Sequence, residues 1–250
     1  MGQERRLLIG SRIGGAACVS GWDMLCGVAA DLVISYDGTS NDDDALALGK
    51  LLAQTGSSVA LAYVRHSREF DPRREQVAQH DADQRLERGA AQMDGSVARY
   101  VEVGAATGEV LGELAQRVGA SIIVFGSDYR TPLGRAEPGT SAQRLLEGGR
   151  VAIAVAAAGL RAKTDFAIRS IAVPFAGPVN DDARATAAAL AARLGAAVVD
   201  ASSGSVDLVV VGSQAGASKG HVVVAGEVRN ELNSARSSVL VLPAERRIEF

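Results

Sequence analysis

Val124–Arg144, VFGSDYRTPLGRAEPGTSAQR, decides the fold. The apolar run from Ser121 to Phe125 reads as a buried strand that enters Gly126. A polar loop follows, and Gly139-Thr140 then opens a segment with helical spacing to Glu147. A loop that leaves a strand and ends at a helix N-terminus presents free N–H groups, and the helix dipole favours an anion there. The stretch therefore reads as a phosphate cradle, framed as Gly126, two residues, Tyr129, nine residues, Gly139-Thr140.

Strand and helix patterns alternate on either side of it. Asp31–Tyr36 is the first strand and ends in the turn signal Asp37-Gly38-Thr39-Ser40. A helix is expected over Ala45–Ala53, capped by Asn41 or Asp42. Ser58–Val64 is a second strand, Arg74–Met93 a charged, solvated helix, and Tyr100–Val103 a short third strand. Val110, Leu111, Leu114 and Val118 form the stripe of another helix. Val151–Ala157 is the strand after the cradle. Alternation of this kind implies an α/β fold with a mainly parallel sheet.

Residues 158–168 are polar and aperiodic and read as a linker, after which the pattern restarts. Gly177, Asn180 and Asp181 repeat Gly38, Asn41 and Asp42 at one constant offset, and Gly212-Ser213 repeats Gly126-Ser127 at a smaller one. The chain thus holds an internal repeat whose second copy is shortened. The missing part corresponds to the charged helix, the third strand and the helix after it. The expected domains are an extension over 1–30, a first domain over 31–158, a linker over 159–168, a degenerate second domain over 169–244 and a tail over 245–250.

Composition narrows the function. Aromatic residues are only 4% of the chain, so the cores must be built from Ala, Val and Leu. A net charge of -3 argues against electrostatic binding to nucleic acid or an anionic membrane. Cys18 and Cys26 form no CxxC pair, and His66, His80 and His221 are scattered, which disfavours a zinc or histidine metal site. Low cysteine usage suits a reducing cytoplasm. Residues 1–30 carry Arg5-Arg6 and Leu7-Leu8-Ile9, but Arg12 interrupts the apolar stretch and no clean cleavage site follows. They read as an extension, or as sequence upstream of a start at Met24.

With the cradle, the Asp-Gly turn, the five-strand pattern and the repeat together, the chain resembles the universal stress protein family, well over residues 30–158 and more weakly over 168–243. That resemblance implies tandem Rossmann-like domains of the adenine nucleotide alpha hydrolase-like type, joined as a pseudo-dimer through their last strands. Val151–Val155 would lie beside Val239–Leu242. ATP-binding members share Gly-x2-Gly-x9-Gly-Ser/Thr, and Arg130, Leu133 and Arg135 also stand where family loops often have Arg, Leu and Arg. Tyr129 replaces the middle glycine. A glycine there admits close approach to a phosphate or a positive φ, so the substitution puts ATP binding in question.

The resemblance implies a nucleotide site of Asp37, Val64, Gly126, Arg130, Gly139 and Thr140. Asp37 would contact the adenosine moiety; its simpler role is a turn residue. Val64 would lie beside adenine and is equally a core position. Gly126 and Gly139 would open the backbone to ribose and phosphates, or serve only tight turns. Thr140 would donate to a phosphate, or merely begin a helix. Arg130 and Arg135 would pair with phosphate oxygens, or remain solvated. Asp42–Asp44 suggest Mg²⁺ accompanying ATP, although helix capping explains them more simply.

In the second copy Ala176 replaces Asp37, and Ala225 falls where Gly139 is expected. This half is expected to bind no nucleotide and to act as a packing partner, held at high effective concentration by its linker. The implied function is a cytoplasmic stress-response regulator that binds ATP or a related adenine nucleotide in its first domain. Its partners would be the nucleotide, an unidentified protein and, beyond the internal pair, a second copy. The alternative is action by protein–protein contact alone. Enzymatic activity is not expected, beyond slow ATP hydrolysis. The Walker motif and the Ser-Gly-Gly-x-Asp-Ser loop of ATP pyrophosphatases are absent, and no nucleophile–base set stands out.

Overall fold

The computed structural model describes residues 29–174, 181–199 and 206–250. Residues 1–28 of the expected extension, residues 175–180 with the expected turn and Ala176, and residues 200–205 lie outside the described residues. The strands are β1 (Leu32–Ser35), β2 (Val59–Arg65), β3 (Ala98–Val103), β4 (Ile122–Phe125), β5 (Ala152–Val155), β6 (Ser170–Ala172), β7 (Ala197–Val199), β8 (Leu208–Val211) and β9 (Ser238–Val241). The helices are α1 (Ser40–Ala53), α2 (Pro72–Ala90), α3 (Thr107–Val118), α4 (Thr140–Leu146), α5 (Asp181–Leu194) and α6 (Gly226–Ser234).

The strands form one nine-stranded sheet in the order β3-β2-β1-β4-β5-β9-β8-β6-β7. Every neighbouring pair is parallel except β5 and β9, which run antiparallel. Ile153, Ala154 and Val155 stand opposite Val241, Leu240 and Val239. β5 and β9 therefore meet in the pair expected from the resemblance. The sheet passes through this seam without a break.

Alternation along the strands explains the two cores. Val33, Ile123, Phe125, Ile153, Val155, Val239 and Val241 point to one face, where α3, α4 and α6 pack through Leu111, Leu114, Leu145, Val228 and Leu232. Leu32, Ile34, Ile122, Val124, Ala152, Ala154, Leu240 and Leu242 point to the other, covered by α1, α2 and α5 through Leu48, Leu52, Leu86 and Leu190. Strands covered on both faces need continuous apolar runs, and LVIS, IIVF, LVVV and SVLV supply them.

Two expectations are corrected. The cap of α1 is Thr39, which forms a capping box with Asp42; the helix starts five residues before Ala45 because the box satisfies its first N–H groups. The linker is also not a plain polar connection. Leu160–Ala162 form a single 3-10 turn, and Leu160 and Ile168 are buried. The carboxylate of Asp44, buried in α1, accepts from the backbone N–H groups of Gly159 and Arg161 and from the Arg161 guanidinium, each at 2.8 Å. Asp44 therefore belongs to a clasp between α1 and the linker rather than to an N-terminal cap.

Candidate functional site

β1 and β4 are neighbours, yet their chains leave in opposite directions across the sheet, β1 toward β2 and β4 toward β5. Such a switch point opens a crevice outside the carboxyl ends of the strands, where α/β proteins bind ligands. A cleft of about 910 Å³ lies there. Its floor is Ser35 and Tyr36 at the end of β1, Ala62–Val64 of β2, and Phe125 and Gly126 at the end of β4. One wall comes from Ala105–Gly108 at the start of α3, and another from Gly139–Ala142 and Arg144 at the start of α4.

Five of the six residues expected at a nucleotide site line this cleft: Asp37, Val64, Gly126, Gly139 and Thr140. Arg130 does not. Its guanidinium carbon lies 4.9 Å from the centre of the Tyr129 ring, a cation–π contact. The Tyr129 ring is 72% exposed at the cleft mouth, and its backbone is not among the left-handed non-glycine residues, Asp165 and Glu245. Tyrosine at this position therefore strains nothing, and it lines the cleft at its mouth.

The two framing glycines have different causes. A Cβ on Gly126 would stand 2.1 Å from the carbonyl oxygen of Asn41, so glycine allows β4 to end against the first turn of α1. Gly139 precedes α4 in extended conformation (φ −70°), which any residue can adopt. The nearest atom to its added Cβ is Asp128 Oδ2, at 4.0 Å. Packing does not require a glycine at 139, and its missing side chain keeps the mouth wide.

The loop between them is fixed from within. Ser127 Oγ donates to the carbonyl of Ala156 at 2.6 Å and to that of Arg135 at 3.3 Å, and accepts the Glu137 N–H at 3.1 Å. Asp128 N–H donates to Glu137 O and Gly134 N–H to Ala158 O, both at 2.8 Å. Pro132 adds a fixed φ beside this network. Ser127 was not among the expected site residues, although its recurrence as Ser213 in the repeat is a signal the sequence carries.

At the opposite end the cleft is acidic. Asp42 Oδ2 accepts from Thr39 Oγ1 at 2.7 Å, Thr39 N–H at 3.0 Å and Asp37 N–H at 3.2 Å. Burial first, and then the facing Asp37 carboxyl, push Asp42 up to about 7, against the opposing pull of the Thr39 donors. Tyr63, Thr107, Ser141 and Arg144 also line the cleft and were not foreseen. Arg144 leans toward Glu109, with Nε 3.5 Å from its carboxylate. Among the described residues, no three His, Cys, Asp or Glu side chains gather for a metal ion. Asp42, Asp43 and Asp44 point to different tasks. Nor is any described helix long and apolar enough to cross a membrane.

No family model matches the sequence. No curated protein matches it either. Solved structures do match its fold. A universal stress protein from Archaeoglobus fulgidus superposes with a TM-score of 0.62 at 13% identity, over 86% of this chain and 98% of that one. A putative universal stress protein from Pseudomonas aeruginosa UCBPP-PA14 gives 0.57 at 15% identity, over 87% and 94%. A functionally unknown protein from Pseudomonas aeruginosa PAO1 gives 0.56 at 16% identity, over 86% and 93%. At such identities the likeness is one of architecture: the chain has the fold found in universal stress proteins.

Proposed function

We propose that the first half of the chain, residues 31–158, binds an adenine nucleotide in the cleft between β1 and β4 and acts as a regulator of the universal stress type. The observation that carries this reading is the gathering of Asp37, Val64, Gly126, Gly139 and Thr140 around one cavity at the sheet's switch point. Asp37 is suited to accept from ribose or base donors, buried Val64 offers an apolar surface to a base, and Thr140 offers a hydroxyl to phosphate. ATP and Mg²⁺ belong to this reading as candidates, the metal arriving with the nucleotide. In the cytoplasm, where such nucleotides are abundant, the bound state would report their supply. Residues 169–244 are a second, reduced domain that serves as an internal packing partner.

A second reading, action through protein contact alone, draws on the loop tip. Tyr129 and Leu133 are 72% and 84% exposed there, an unusual placement for large apolar side chains. Calorimetry with ATP, ADP and AMP separates the two. Saturable binding that weakens in Asp37→Ala, with folding intact, supports the nucleotide reading. Absence of binding to all three at millimolar concentration rejects it.

A further inference from the structure

We infer that the cleft, read as a nucleotide site, selects a nucleotide with one phosphate over the corresponding triphosphate. This rests on the nucleotide reading above and adds the ligand's charge and length. The charged side chains on the lining, histidine aside, are Asp37, Asp42 and Arg144. The single guanidinium already leans on Glu109, and Arg130 lies over Tyr129 rather than on the lining. The cavity therefore offers no surplus of positive charge. A triphosphate brings about twice the charge of a monophosphate, each group about −1.5 to −2 at its terminus, and loses most in such a field.

The mouth adds a second obstacle. Asp128 Oδ2 lies 4.0 Å from the point a side chain on Gly139 would occupy. Phosphates extending out past Gly139 run toward this carboxylate. Asp128 is held in place, since its Oδ1 accepts the Arg130 N–H at 3.0 Å.

The loop has few donors left to compensate. The N–H groups of Asp128, Thr131, Gly134 and Arg135 donate to carbonyls within the protein. Those of Arg130 and Glu137 donate to Asp128 and Ser127. A bound anion reaches these groups only by breaking the bonds that shape the loop, and each exchange forfeits an existing hydrogen bond. On the facing walls, the hydroxyls of Thr107, Thr140 and Ser141 and the backbone N–H groups of the first turns of α3 and α4 are the donors at hand. These donors gather at one spot, where α3 packs on α4, and one spot suits one phosphate.

The test compares adenosine, AMP and ATP by calorimetry on the full chain, with Mg²⁺ removed by a chelator so that the triphosphate keeps its full charge, and ionic strength matched. AMP is expected to bind at least about tenfold more tightly than ATP, the factor that about 1.4 kcal/mol supplies, and more tightly than adenosine. ATP binding as tightly as AMP overturns the inference while leaving the nucleotide reading intact. Adenosine matching AMP overturns the phosphate assignment. Absence of all three rejects the nucleotide reading itself. Asp128→Asn keeps an oxygen for the Arg130 N–H and removes the charge. It should narrow the gap between AMP and ATP by several fold, and an unchanged gap means that the phosphates do not pass this carboxylate.

Discussion

The loop after β4 and the loop after β8 share one hydrogen-bond plan, yet they border very different spaces. Ser213 Oγ donates to Leu242 O at 2.7 Å and to His221 O at 3.1 Å and accepts the Val223 N–H at 3.1 Å. These are the bonds of Ser127, repeated at equivalent positions. Gln214 N–H to Val223 O and Gly220 N–H to Ala244 O likewise repeat the Asp128 and Gly134 bonds. The first loop opens on a cleft of about 910 Å³, the second on one of about 270 Å³. The loop's form is therefore a device for joining strand to helix, and it persists without a large cavity. Among the described residues, the second half differs in the wall. Residues 66–121 separate β2 from β4 and carry α3, whereas only residues 200–207 separate β7 from β8. Among the described residues, no equivalent of Ala105–Gly108 borders the second loop.

The largest effect is expected where the halves differ most in the interior. Asp44 holds the linker, and Ala183 occupies the matching place on α5. Asp44→Ala leaves two backbone N–H groups and Arg161 without their acceptor, and it should cost about 2–4 kcal/mol, the lower end reflecting the partial exposure of Arg161. Urea denaturation reads this directly. The serines come next. Ser127→Ala and Ser213→Ala should each cost about 1–3 kcal/mol, and by similar amounts, because their networks match. A large effect at Ser127 alone would break the equivalence of the loops.

Smaller in stability, but sharper in function, is Gly139→Val. The position is extended and open, so stability should change by less than about 0.5 kcal/mol, while nucleotide affinity falls. Gly126→Ala should do the reverse and act on folding first, by about 1–3 kcal/mol through overpacking against Asn41.

The smallest effect is on pH. Asp42 is raised from an ordinary carboxylate to about 7. Between those values the folded state binds more protons than the unfolded one, so stability declines as pH rises toward 7. Asp42→Asn should flatten that decline between about pH 4 and 7. Glu75 runs the other way. The bidentate Arg65 partner lowers it to about 2, so its contribution is present above the ordinary carboxylate range and lost as pH falls toward 2.

Much of the sheet was legible in the sequence because each strand is a short apolar run bounded by turn signals, and the family resemblance pointed to the β5–β9 seam. Four residues of the cleft were legible through one motif and one turn, and Val64 as the end of the second strand. The remainder depends on contacts that leave no local trace. Asp44 meets Arg161 across 117 positions, and nothing near Asp44 distinguishes a clasp from a cap. Thr107 and Ser141 face one cleft only because α3 and α4 pack side by side, where a Cβ on Gly108 would stand 2.5 Å from the Ser141 carbonyl. The orientation of Tyr129 follows from its contact with Arg130, which sequence spacing does not specify.

Hydrogen exchange of the full chain with and without AMP tests the central claim most directly, because it reads both halves at once. Protection is predicted at residues 35–39, 62–66, 105–108 and 139–144, with none at 212–217 or 242–245. Protection of the second loop instead, or equal protection of both, would contradict the assignment of the nucleotide to the first half.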